Sequence, residues 1–253
     1  MLVLDHSQNS FIDEGCHVNR ILNLVGASVV DEWRQHFDVV RFELGESLEE
    51  SAHRAAYVYF PIDAIISLIC FLRSGASAEI AVVGYDGMLG MGSVLGGNVM
   101  AHQAVVQSAG HALRIPGQHV AHAFSNAPQA RHFLGRYVQF LFSQTAQTAA
   151  CNRHHLLEQQ LCRWLLICTD RLHTPELVMT QELIGNMLGV RREGVASAAH
   201  ALQQAGLISY KRGKISLLDR AGVLGRSCEC YSAVKSLEQS LLDPRSFNAT
   251  QAR

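Results

Sequence analysis

Between Thr180 and Leu218 the order of apolar, polar and glycine residues permits one simple arrangement: helix, tight turn, helix, hairpin. Thr180 suits an N-cap, because its hydroxyl oxygen accepts from a free N–H of the first turn, and Gln181 and Glu182 suit that turn. Leu183, Ile184, Met187 and Leu188 recur at helical spacing and make one apolar stripe. Gly189 then stops the helix, since glycine accepts the left-handed conformation that closes one. Val195, Ala198, Ala199, Leu202 and Ala205 make a second stripe. The opposite face carries Arg192, Glu193, Ser197, His200 and Gln203, and Gly206 closes this helix. Ile208 to Lys211 and Lys214 to Leu218 alternate as hairpin strands, with Arg212-Gly213 at the bend.

Two short helices across a turn, followed by a basic hairpin, predict a winged helix-turn-helix, whose second helix enters the major groove. Arginine forks onto N7 and O6 of guanine, and glutamate accepts from N4 of cytosine. Arg192, Glu193, Ser197 and His200 are therefore the expected base readers, and Thr180, Arg191, Lys211, Arg212 and Lys214 the expected phosphate contacts. The competing reading is an ordinary helical pair whose charged face is merely solvated.

The segment IGNMLGVRREGV, followed by LQQAGLISYKRGKI, resembles the DNA-binding domain of the Crp/Fnr transcription regulators. In that family an Arg-Glu pair opens the recognition helix, and Arg192 and Glu193 match it. The best-known members carry a second base-contacting arginine one turn later, where this chain has Ser197. The resemblance implies a homodimer on palindrome-like double-stranded DNA, with RNA polymerase as a further partner.

At 253 residues there is room for two domains. The formal net charge of -1 hides an uneven distribution. Residues 1–60 hold ten acidic and four basic residues, whereas residues 180–225 hold six basic and three acidic, a modest nucleic-acid footprint. The seven cysteines are scattered, and the N-terminus has acids where a secretory signal carries positive charge. The longest apolar run, within Ala64 to Leu72, is too short to cross a bilayer. A cytoplasmic protein with reduced thiols and no membrane partner is expected.

The predicted fold class is α+β. Residues 1–18 read as a mobile N-terminal arm, 19–127 as a β-roll sensor domain, 128–153 as a dimerisation helix, 154–225 as the winged helix-turn-helix and 226–253 as a C-terminal helix and tail. Short apolar runs from Val39 onward, separated by Gly, Asp and Ser, suggest a small barrel or jelly roll. With its YVYFP and VGYDGMLG segments, this region resembles the cyclic-nucleotide-binding β-roll of the same family. There a Gly-Glu pair holds the ribose and an Arg-Ser pair the phosphate; the matching positions here are Gly90-Met91 and His102-Gln103. A thioether does not make the ribose hydrogen bond, and a neutral imidazole is a poor substitute for guanidinium. Binding of cyclic AMP in the family's usual way is therefore not expected. Gly90, Gly92, Gly96 and Gly97 read as hairpin turns rather than a phosphate cradle.

An iron–sulfur cluster needs several thiolates, and the N-terminal arm supplies only Cys16. His102, His111, His119, His122 and His132 lack the spacing of a defined ligand set, and Cys228-x-Cys230 alone does not close a tetrahedral site. No metal is expected; Cys151, close to the hinge, reads as a buried structural thiol, with a thiol that reports oxidation as the alternative. From Gln129 to Asn152, Leu134, Val138, Leu141 and Thr145 keep heptad spacing beside a stripe of Phe133, Tyr137 and Phe140. So wide an apolar surface is read as one face against the β-roll and one against a second copy of the chain; the competing reading is a helix wholly within the monomer's own core. Three function classes remain: an effector-responsive dimeric regulator, a constitutive DNA binder with a ligandless β-roll, and a cupin-like metal enzyme. The last lacks a His-x-His pair with a following carboxylate in the strands, so a non-enzymatic regulator is the leading expectation.

Overall fold

The structure, a computed structural model, describes residues 6–48, 57–97, 102–172 and 176–247. Its contacts divide the chain into two units: Met1–Ile66, Val83–Leu141 and Glu238–Arg253 form the first, Ser67–Val82 and Phe142–Leu237 the second.

The first unit corrects the reading of residues 1–18 as a mobile arm, because from His6 they form helix α1 (His6–Val18). Ile12, Gly15 and Cys16 share one face and are buried. A Cβ on Gly15 would lie 2.8 Å from Ile62 Cδ1, so the absent side chain is what lets α1 lie close to the core. Asn19 caps α2 (Arg20–Val25) and is itself fully buried. Its Oδ1 accepts from the Ile21 and Leu22 amides at 3.0 and 3.3 Å, while Nδ2 donates to the carbonyls of Pro61 and Gly87 at 2.9 and 3.0 Å. One amide side chain thus starts a helix and pins two loops, with every hydrogen bond satisfied.

After α3 (Ala27–Trp33) come strands β1 (Asp38–Phe42), β2 (Ser47–Leu48), β3 (Tyr57–Pro61), β4 (Ile65–Phe71), β5 (Ser77–Val83), β6 (Gln103–Ser108) and β7 (Gly110–Pro116). β1, β7 and β3 make an antiparallel sheet in that order, with Val40 opposite Ala112 and Tyr59 opposite Arg114. β2 pairs with β6, and β4 lies beside β5. Val58 and Phe60 of β3 point into the core, while Tyr57 offers its ring face to the Arg114 guanidinium at 4.4 Å. The glycine-rich stretch expected to form hairpin turns instead contains helix α4 (Met91–Leu95), entered through Gly90 at φ +91°. A Cβ at Gly90 would sit 2.4 Å from the Tyr57 carbonyl oxygen, so the position is closed to side chains on two grounds. Helices α5 (Gly117–Asn126) and α6 (Pro128–His154) follow. Tyr137 of α6 holds the loop before α4: its hydroxyl donates to the Met88 carbonyl at 2.8 Å and accepts from the Met88 amide at 2.9 Å.

The second unit contains α7 (Leu157–Thr169), β8 (Glu176–Val178), α8 (Gln181–Leu188), α9 (Arg192–Gln204), β9 (Ile208–Lys211), β10 (Lys214–Leu217), α10 (Arg220–Arg226) and most of α11 (Cys230–Leu241). Its centre is a buried carboxylate. Glu79 of β5 accepts from Ser67 Oγ at 2.5 Å and from Trp164 Nε1 of α7 at 3.0 Å. Arg163 and Arg171, both buried, add their charge. Desolvation outweighs these partners and pushes the Glu79 carboxyl up to about 7.

The direction of that shift sets a pH dependence. Between 4.5 and about 7 the native state keeps a proton that the unfolded chain has lost, so this contribution to stability is present at low pH and disappears as pH rises through about 7. Glu79→Gln removes the ionisation and keeps an acceptor. Its stability relative to wild type should therefore rise by up to about 3 kcal/mol between about pH 5 and about pH 8, read by urea unfolding. A constant difference across that range would show that Glu79 does not titrate there.

Candidate nucleic-acid interface

The helix-turn-helix is built by three local devices. Thr180 caps α8, its Oγ1 accepting from the Leu183 amide at 3.2 Å. Gly189 closes α8 in the left-handed conformation at φ +68°. The turn is held by the Val190 amide, which donates to the Gly185 carbonyl at 2.9 Å. α9 then buries Val195, Ala198, Ala199 and Leu202 and leaves Arg192, Glu193, Ser197 and His200 exposed. All four expected base readers therefore share the solvent face of one helix, and Arg191 is exposed at its N-cap.

The wing is also as the sequence implies. β9 and β10 pair antiparallel, with Lys211 opposite Lys214, across a two-residue turn in which Arg212 has φ +52° and Gly213 φ +76°. Two positive φ angles make the mirror-image turn that matches strand twist. Arginine is a costly residue there, and Arg212 is the sole non-glycine with positive φ among the described residues. Thr180, Gln181, Glu182, Arg192, Tyr210, Arg212 and Gly213 line a cleft of about 390 Å³ between the helix and the wing. Tyr210 ties the wing down by donating from its hydroxyl to the Met179 carbonyl at 2.8 Å. Burial raises the Tyr210 phenol, and the Arg192 charge partly opposes this.

Two features were not legible. The third strand, β8, pairs with β10 and is only three residues long, too short for an apolar alternation to announce it. It places Glu176 3.2 Å from Lys214 Nζ, so the Lys214 charge is partly neutralised by the protein itself. Both side chains are well exposed, and the pair is weak.

The other expected sites fare differently. Met91 is buried and faces the core, His102 is half-buried and Gln103 is exposed, so these positions do not present one set of polar groups. Residues 98–101, between α4 and β6, lie outside the described residues. Burial lowers the His102 imidazole, which keeps it neutral. Of the four residues expected to form a seam on α6, Leu134 is fully buried in the first unit, and Val138, Leu141 and Thr145 are half-buried. The outward ridge is Gly135, Val138, Phe142, Thr145 and Ala149, again spaced three and four apart, with Phe142 75 % exposed. The five histidines weighed as ligands do not gather; His119 stacks on His36 at 3.8 Å, and His132 meets Ser246. The reason for expecting no metal, too few thiolates beside Cys228 and Cys230, does not hold: the fold brings Cys151 and His155 to them.

Residues 159–224 match the family model of the Crp-like helix-turn-helix domain. This segment is Crp-like. The fold is that of the Crp/Fnr regulators, an N-terminal β-roll and a C-terminal helix-turn-helix. FixK2 from Bradyrhizobium japonicum is 16% identical, with a TM-score of 0.66 over 76% of this chain and 98% of that one. A Crp-family transcriptional regulator from Thermus thermophilus is 17% identical, with a TM-score of 0.62 over 74% and 96%. The c-di-GMP-responsive global regulator CLP from Xanthomonas campestris is 15% identical, with a TM-score of 0.58 over 76% and 99%. No curated protein matches the sequence. Among the described residues no helix is long and apolar enough to cross a membrane.

Proposed function

We propose that this Crp/Fnr-type chain is a non-enzymatic, cytoplasmic transcription regulator that binds palindrome-like double-stranded DNA as a homodimer and acts on RNA polymerase. The observation that carries the reading is α9, which presents Arg192, Glu193, Ser197 and His200 on one exposed face beside a wing bearing Lys211 and Arg212. Arg192 and Glu193 stand in the first turn, where side chains reach base edges. With serine at 197, discrimination rests mainly on Arg192. Removing a bidentate base contact costs about 1–3 kcal/mol and relaxes preference at that base pair, whereas removing a phosphate contact weakens all sequences alike and lowers the salt slope by about one. Arg192→Ala should therefore lose the operator-to-scrambled ratio, and Lys211→Ala should keep it, in competition titrations at several salt concentrations. An unchanged ratio for Arg192→Ala would show that α9 is not the sequence reader.

The outward ridge of α6 supports the homodimer. Its heptad spacing, the absent side chain at Gly135 and the exposed Phe142 ring suit a second helix packed in twofold relation. Such a dimer sets two reading helices about 34–36 Å apart, one turn of DNA. Phe142→Glu should shift the protein to monomer in sedimentation and weaken operator binding at least about tenfold. Wild-type protein sedimenting as a monomer with and without DNA would contradict the assignment.

The β-roll is read as an effector domain whose ligand is not cyclic AMP held in the family's manner. The buried Met91 and the neutral, half-buried His102 support this. Calorimetry with cyclic AMP should give no saturable heat; micromolar binding would overturn the reading. The same fold serves a regulator described as c-di-GMP-responsive, so loss of one nucleotide's contacts is compatible with response to another ligand.

A further inference from the structure

Four side chains that DNA reading leaves unused converge in the second unit. Cys151 lies near the end of α6, His155 in the joint before α7, and Cys228 and Cys230 at the turn between α10 and α11. The three sulfurs and a ring nitrogen of His155 all lie within 4.8 Å of one another. The Cys151 and Cys228 sulfurs are 3.5 Å apart, and His155 Nδ1 is 3.5 Å from the Cys230 sulfur. A zinc ion with bonds of about 2.0–2.3 Å spans tetrahedral edges of about 3.5–3.8 Å. The three cysteines are 0, 3 and 1% exposed, so the pocket is dry.

The surroundings match what a thiolate site requires. His155 Nε2 lies 3.2 Å from Glu229 Oε1, which places the ring proton on Nε2 and leaves the Nδ1 lone pair facing the sulfurs. Gln147 Nε2 donates to the Cys230 sulfur at 3.0 Å. Buried Arg163, whose Nε has no hydrogen-bond partner among the described residues, acts on Cys151 with its positive charge. Three thiolates and a divalent ion sum to one negative charge, which the guanidinium offsets. Simple apolar packing of thiols gives no reason for a carboxylate-oriented imidazole, an amide donor and a guanidinium to meet at the same spot.

We propose that Cys151, His155, Cys228 and Cys230 form a closed structural zinc site. On binding, three S–H protons leave to solvent, each thiolate and the neutral Nδ1 give a lone pair to the metal, and no oxidation state changes. Thiolate and imidazole ligands select zinc over magnesium or calcium, and four protein ligands leave no position open for catalysis. The ion links the end of α6 to a turn 77 residues later in the chain. It thereby fixes α7, on which the reading helix rests, independently of what that helix recognises.

The test uses the full chain purified under reducing conditions without chelator. Plasma mass spectrometry should find about one zinc per chain, and cobalt replacement should give the visible absorption of a tetrahedral thiolate site. Cys228→Ser and His155→Ala should each lower retained zinc at least about tenfold, while Cys70→Ser, outside the cluster, keeps it. Chelator should lower the melting midpoint of wild type and not that of Cys228→Ser. Wild type that stays metal-free after reconstitution with zinc and reductant, a six-coordinate cobalt spectrum, or iron in place of zinc would overturn the proposal. So would a Cys151–Cys228 disulfide as the native form. Should the variants fail to fold, the cobalt titration of wild type alone decides.

Discussion

A helix-turn-helix works only if its two helices cross closely enough to fix the start of the second, and here that distance is set at Gly185. A Cβ at this position would lie 2.9 Å from the Val190 carbonyl oxygen and 3.5 Å from the Arg192 amide nitrogen. The atoms it would displace are backbone, which yields poorly, and they belong to the turn that aims Arg192 and Glu193. A side chain at residue 185 would move Arg192 and Glu193 without touching them. Behind α9 the approach to α7 is equally close, since a Cβ on Gly194 would meet Leu157 Cδ2 at 2.9 Å. The neighbour is then a flexible side-chain end, so this second constraint is softer.

The support for that geometry comes from polar groups as much as from apolar burial. Glu79 is held by Ser67 and Trp164, and Arg163 donates to Thr148 at 2.6 Å. A buried carboxylate with two buried arginines nearby is expensive to desolvate and is tolerated where the hydrogen bonds are well formed. These groups join β4, β5, α6 and α7 within one unit, so its interior is specified by directional bonds, which distinguish one packing from its near alternatives more sharply than methyl groups do.

Much of this was legible from residue order, for reasons that also mark its limits. The cap at Thr180, the stop at Gly189 and the bend at Arg212-Gly213 are local, and each follows from one or two side chains. The strands of the first unit announce themselves by short apolar runs. Helix α1 does not, because its buried face is carried by Gly15 and Cys16 beside one isoleucine. The exposed ridge of α6 escaped the sequence for a different reason. Leu134, Tyr137, Phe140, Leu141 and Phe142 clothe the helix almost all round, and periodicity does not say which stripe the chain buries. The cluster around Cys228 was invisible for a third reason. Its ligands come from two stretches joined only by the tertiary fold, so no spacing rule reaches across them.

The chain has two tryptophans, and the fold assigns one to each unit. Trp33 is buried beside Phe37 and Phe60, with ring centroids 6.5 and 6.0 Å away. Trp164 is as deeply buried but bonds through its indole N–H to a carboxyl group that changes charge near neutrality. The two indoles therefore sit in unlike surroundings, one packed against phenyl rings and one bonded to a carboxyl group whose charge follows a proton. Intrinsic fluorescence from the unlabelled protein thus carries two optical reporters, one for each half of the molecule.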